Sequence, residues 1–148
     1  MKSDEKIEFY NPNRLGDLTF IFHKNHKKYL SDALSKYDLN TLQMLCLIKI
    51  YNEDNLCQKD ISDGFYLTKG SITKAISKLE ENDLIIRVKS PEDKRQYVLS
   101  ITPKGKKLIP IIVNINRTWE KKMGLDQLSP EFIETFKKLA LKSVELNK

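Results

Sequence analysis

Apolar residues recur at helical intervals over most of this chain and switch to alternation in one stretch, between Leu84 and Ile101. From Arg14 to about Lys36 there is no Pro and only Gly16, while Leu15, Leu18, Phe22, Tyr29, Leu30, Ala33 and Leu34 fall near helical spacing; this predicts a long amphipathic helix. Asn40 is a side-chain cap for a second helix carrying Leu42, Leu45, Cys46 and Ile48, which ends in the polar run Tyr51 to Asn55. A short helix over about Gln58 to Gly64 follows, with Ile61 and Phe65 inward and Gly64 expected to take the left-handed position at its end.

Thr68 opens the next helix, whose buried stripe is Ile72, Ala75, Ile76 and Leu79. Its outer side keeps Ser71, Thr73, Lys74 and Lys78, and Asn82-Asp83 ends it. Leu84 to Lys89 and Gln96 to Ile101 are β-prone, and Ser90-Pro91-Glu92-Asp93-Lys94 between them is turn-like. Thr102-Pro103 and Ser129-Pro130 are both a capping hydroxyl followed by Pro at the first helical position. The helix after Thr102 carries Leu108, Ile111, Ile112, Ile115 and Trp119, with a kink expected at Pro110; the last helix carries Phe136, Leu139, Ala140 and Val144.

The expected fold is mainly α with a small β-wing. A winged helix-turn-helix lobe over 38–103 is flanked by dimerisation helices in 1–37 and 104–148, all within a single domain of 148 residues. The flanking helices are longer and more apolar than a DNA-binding module needs, which predicts that they pack on a second copy of the chain.

Charge sharpens this picture. Between Thr68 and Lys107 there are ten Lys and Arg against five acids, so +5 of the chain's +6 lies in that segment. A local positive field favours a polyanion, since neutralised phosphates release condensed counterions. Two cysteines, Cys46 and Cys57, make no disulfide framework, and Cys46 on an apolar side is expected to be a core thiol. His23 and His26 have no Cys or acid cluster to complete a metal shell, and no catalytic constellation stands out, so no metal, no cofactor and no enzyme is expected. The absence of a long apolar run or an apolar signal core near Met1 places the chain in the cytoplasm, away from membranes.

With these residues in place, the chain resembles the MarR family of multiple-antibiotic-resistance-type transcriptional regulators. The likeness is carried by Asp60-Ile61-Ser62, by Leu67 to Thr73, by Leu79 to Arg87, and by Asp93-Lys94-Arg95 with the exit Ser100-Ile101-Thr102-Pro103-Lys104-Gly105. Asp83 stands where the family mostly has Gly, and Ile61-Ser62 replaces the usual Leu-Ala; both keep the physical requirement at their positions. The resemblance implies a homodimer on double-stranded DNA with a palindromic operator, acting as a repressor relieved by a small anionic aromatic acid or a stress signal.

The DNA-facing residues expected from the layout and the resemblance are Thr68, Lys69, Ser71, Thr73, Lys74 and Lys78 on the recognition helix, and Lys89, Asp93, Lys94 and Arg95 on the wing. Arg95 suits the narrow, negative minor groove, and the resemblance implies that Asp93 orients it through an ion pair. Thr73 and Arg87 align with family positions that hold the aromatic acid. Against that reading, Arg87 meets a DNA phosphate or a wing carboxylate instead. The competing function is a winged-helix module for protein contacts or non-specific nucleic-acid binding.

Overall fold

The computed structural model describes residues 13–148. Six helices and one hairpin follow in the order α1 (Leu15–Leu34), α2 (Thr41–Asn52), α3 (Gln58–Phe65), α4 (Lys69–Glu81), β1 (Ile85–Lys89), β2 (Tyr97–Ile101), α5 (Pro103–Met123) and α6 (Pro130–Glu145). The expected N-terminal dimerisation segment begins at residue 1, and its first twelve positions lie outside the described residues. None of the described helices is long and apolar enough to cross a membrane.

Side-chain caps set most of the helix starts. Asn40 and Gln43 bond reciprocally at the head of α2, and Thr68, Thr102 and Ser129 each accept a backbone N–H three residues on. α1 stops at Leu34 and continues as a 3-10 turn over Ser35–Tyr37, ended by Asp38 at φ 54°. α5 runs as one helix through Pro110.

One buried cluster joins the helices to the hairpin. It draws Leu30 and Leu34 from α1, Met44, Cys46, Leu47 and Ile50 from α2, Ile61 from α3, and Ile72, Ala75, Ile76 and Leu79 from α4. Ile85, Leu99, Ile109 and Ile112 close it from the strands and α5. Each buried Leu, Ile or Met of this cluster stabilises the fold by about 1.5–3 kcal/mol through removal of apolar surface from water.

The structure departs from the sequence pattern at several positions. Gly64 lies inside α3, and the left-handed cap belongs to Tyr66 at φ 55°. That turn is held by Leu67 N–H donating to the Ser62 carbonyl, so hydrogen bonding and packing override the usual preference for Gly. In α2 the buried face is Met44, Cys46, Leu47 and Ile50, leaving Leu45 outside. Ile85 is the core residue of β1, while Ile86 is 49% exposed.

The hairpin is antiparallel with Arg87 opposite Leu99 and Lys89 opposite Tyr97. A single bridge from Leu56 adds a third edge, with Leu99 N–H donating to the Leu56 carbonyl at 2.8 Å. This ties the wing to the residue just before the α3 cap. Nothing in the local sequence around Leu56 signals a strand, because one paired residue has no periodicity.

α1 and α6 present apolar faces that the described residues leave largely exposed. Leu15, Leu18, Ile21 and Phe22 on α1 are exposed, as are Phe132, Ile133, Phe136, Leu139 and Leu141 on α6. No residue of α6 is buried.

Candidate nucleic-acid interface

α3 is capped by Cys57, whose backbone N–H donates to Asp60 Oδ2 at 2.9 Å. That bond, helped by the Cys57 side chain, holds the Asp60 carboxyl below its ordinary range. The turn through Tyr66 and Leu67 then delivers the chain to Thr68, the cap of α4. The buried stripe of α4 locks its orientation, and the opposite side carries the expected DNA-facing residues in two flanks. At about 100° per residue, Ser71, Lys74 and Lys78 share one flank, and Lys69, Thr73 and Glu80 share the other.

Their hydroxyls are not equivalent. Thr68 Oγ1 accepts from Ser71 N–H at 3.3 Å and lies 3.0 Å from Ser71 Oγ, so both serve the helix start. Thr73 Oγ1 donates to the Lys69 carbonyl at 2.8 Å and accepts from Gln58 Nε2. With its single hydrogen used, Thr73 has no donor left for DNA. Lys69 and Lys74 are exposed and make no ion pair among the described residues. Lys78 Nζ lies 4.0 Å from Asp38 Oδ2, at the outer limit of an ion pair, and is partly exposed.

The far end of α4 is built by long-range bonds. Asp83 takes φ 59°, filling the left-handed position expected of Asn82-Asp83. Asn82 donates to Asp38 Oδ2, Lys104 Nζ donates to the Asn82 carbonyl, and Thr102 Oγ1 donates to the Asp83 carbonyl at 2.6 Å. The chain segments before α2 and at the head of α5 therefore both grip the end of α4.

At the wing tip, Asp93 Oδ1 accepts from the Arg95 backbone N–H at 3.0 Å and stands 3.5 Å from Arg95 Nε. Ser90 Oγ accepts from the Glu92 and Asp93 N–H groups, and Ser90 N–H donates to the Gln96 carbonyl, closing the turn. The Asp93–Arg95 pair implied by the resemblance is present in the geometry. It leaves the Arg95 side chain 93% exposed and projecting from a fixed turn. Lys89 and Lys94 are exposed beside it.

Arg87 has a partner that the sequence reading did not name. Its Nε donates to Glu80 Oε2 of α4 at 3.1 Å, an acid that lies on the recognition helix and outside the wing. Gln58 was missed altogether: nothing in its sequence neighbourhood links it to Thr73, fifteen residues on. Cys46 is fully buried, and burial pushes its thiol up to about 12, which makes it inert; Cys57 is half-buried.

Comparison with known proteins agrees with this layout. The MarR family model matches residues 39–97, which run from the residue before the α2 cap into the second wing strand. The transcriptional regulator BilQ of Clostridioides difficile is 31% identical over 116 residues, covering 78% of either chain. The regulator SarZ of Staphylococcus aureus is 29% identical over 92 residues, covering 60% of this chain and 62% of that one. Among solved structures, the transcription regulator MarR of Oenococcus oeni superposes with a TM-score of 0.79 at 25% identity, over 89% of this chain and 99% of the other. The S. aureus MepR–DNA complex superposes at 0.75 with 25% identity, over 89% and 97%. A capped, stripe-locked α4 followed by a charged wing, set in a helical frame shared over nearly the whole length of the two superposed structures and matched in sequence over 78% of BilQ, means that this chain belongs to the MarR family of winged helix-turn-helix transcriptional regulators.

Proposed function

We propose that the chain works as a homodimeric, sequence-specific DNA-binding repressor, released by a small anionic aromatic ligand or a stress signal. The observation that carries the DNA role is the wing tip, where a fully projecting Arg95 is held by Asp93 next to a basic recognition helix. A planar guanidinium fits the minor groove while α4 occupies the major groove. Lys69, Lys74, Lys78, Lys89 and Lys94 supply phosphate contacts around these two readers. In this reading 38–103 is the DNA-reading lobe, and 1–37 with 104–148 form the dimer.

The exposed stripes of α1 and α6 support the dimer. Contiguous exposed apolar faces of this kind are rare on monomers, and a two-fold pairing would bury both. It would also set two recognition helices about one helical turn of DNA apart, matching a palindrome. Sedimentation at micromolar concentration should give the mass of two chains.

For the ligand, Thr73 and Arg87 remain the family-implied positions, and a carboxylate would have to compete with Glu80 for Arg87. The decisive experiment is a footprint on genomic DNA from the source organism. A protected palindrome supports the regulator; weak, uniform protection supports a non-specific nucleic-acid or protein-contact module instead.

A further inference from the structure

α4 carries Lys, Ser, Thr and Glu on its outer side but no Arg, Asn or Gln. It therefore lacks any planar group that makes two parallel hydrogen bonds to one base edge, the commonest basis of direct readout. A group of this kind reaches the outer side of α4 from a different helix. Gln58, the first residue of α3, donates from Nε2 to Thr73 Oγ1 on the outer half of α4. A Gln amide has two N–H hydrogens and one carbonyl oxygen. One hydrogen goes to Thr73; the second, and Oε1, make no hydrogen bond among the described residues.

We propose that Gln58 is a base-reading residue of this interface, delivered by α3, anchored on Thr73, and selective for adenine. The remaining N–H and Oε1 match the adjacent N7 acceptor and N6 donor that adenine shows in the major groove. Anchoring matters because a long, flexible side chain otherwise loses rotamer freedom on binding, and Thr73 has already restricted it. Thr73 is itself held by the Lys69 carbonyl, so the amide is fixed relative to the α4 backbone. Thr73 is in this account a positioning residue, which explains why a threonine with no spare donor stands at that place. The inference rests on the DNA-reading role proposed above.

The test begins with duplexes selected by the wild-type protein from a random-sequence pool. Every base pair of the selected half-site is then permuted, and affinities are measured at fixed salt for wild type, Gln58→Ala and Gln58→Glu. Wild type should prefer A·T at one pair per half-site by roughly 5- to 100-fold. Gln58→Ala should erase that preference while leaving the other pairs and the salt slope unchanged. Gln58→Glu is nearly isosteric but can donate neither to Thr73 nor to adenine N7, so it should lose the A·T preference at that pair as Gln58→Ala does. A uniform loss at all pairs would mean a phosphate contact or a structural tie, and would overturn the proposal, as would an unchanged profile in both variants. If wild type itself shows no preference at any pair, the DNA-reading role fails with it; a selective wild type whose profile ignores Gln58 sinks this inference alone.

Discussion

Arg87 Nε and Glu80 Oε2 stand 3.1 Å apart, joining the first wing strand to the last turn of the recognition helix. Both side chains are partly exposed, so the pair contributes about 0.2–1 kcal/mol to stability and more to geometry. A double-mutant cycle of Arg87→Ala and Glu80→Ala should return a coupling in that range. If an aromatic carboxylate binds at Arg87, Glu80→Gln should tighten it, because the competing charge is gone. Salicylate titration of both proteins decides this, and equal affinities would exclude Arg87 as the ligand's anchor.

Arg95→Ala should weaken operator binding by about 1–3 kcal/mol per site and make the salt dependence shallower, because a groove contact and a positive charge are lost. Its side chain is 93% exposed and its one ion pair among the described residues is with Asp93, so the thermal unfolding midpoint should stay within experimental error. Unaltered affinity would show that the wing does not reach DNA.

Gly105 occupies a place that no side chain fits. A Cβ there would overlap the Leu84 carbonyl and lie 2.7 Å from Ile101 Cγ1. Gly105→Ala should therefore force the head of α5 away from the wing root and destabilise the protein by about 1–3 kcal/mol in denaturant titration. A fully stable variant would mean that this junction yields easily.

The ring of His26 stacks on Trp119 with centroids 4.0 Å apart, and Phe22 meets the same indole edge-on. Burial and then the neighbouring His23 lower the His26 pKa below 6.5, with Glu120 opposing them. The unfolded chain then takes up a proton before the folded one does as pH falls. Stability from the neutral ring is whole above 6.5, declines below it, and levels off once the folded His26 is protonated. Melting curves at about pH 7.5 and about pH 5.5 should show a smaller drop for His26→Phe than for wild type. Parallel drops would assign the pH response elsewhere. Asp60 acts in the same direction at lower pH, because its depressed carboxyl loses its bond to Cys57 only on protonation.

What was legible in the sequence was what nearest neighbours along the chain control. Asn40, Thr68, Thr102 and Ser129 declared themselves as caps because a hydroxyl or amide bonds a backbone N–H three residues on. The stripe of α4 and the Asp93–Arg95 tip were readable for the same reason: each lies within one turn of helix or hairpin. What the sequence did not show is which residue ends a helix and which elements lie against one another. Gly64 yielded the left-handed cap to Tyr66, Leu56 became a third strand edge, Arg87 turned to Glu80, and Gln58 reached Thr73. Periodicity reports which face of an element is apolar, but it carries no information about which element will lie against that face. Only packing brings α3 beside α4 and the head of α5 under Leu84, and so only the tertiary structure decided which polar side chains remain available to a base and why position 105 is glycine.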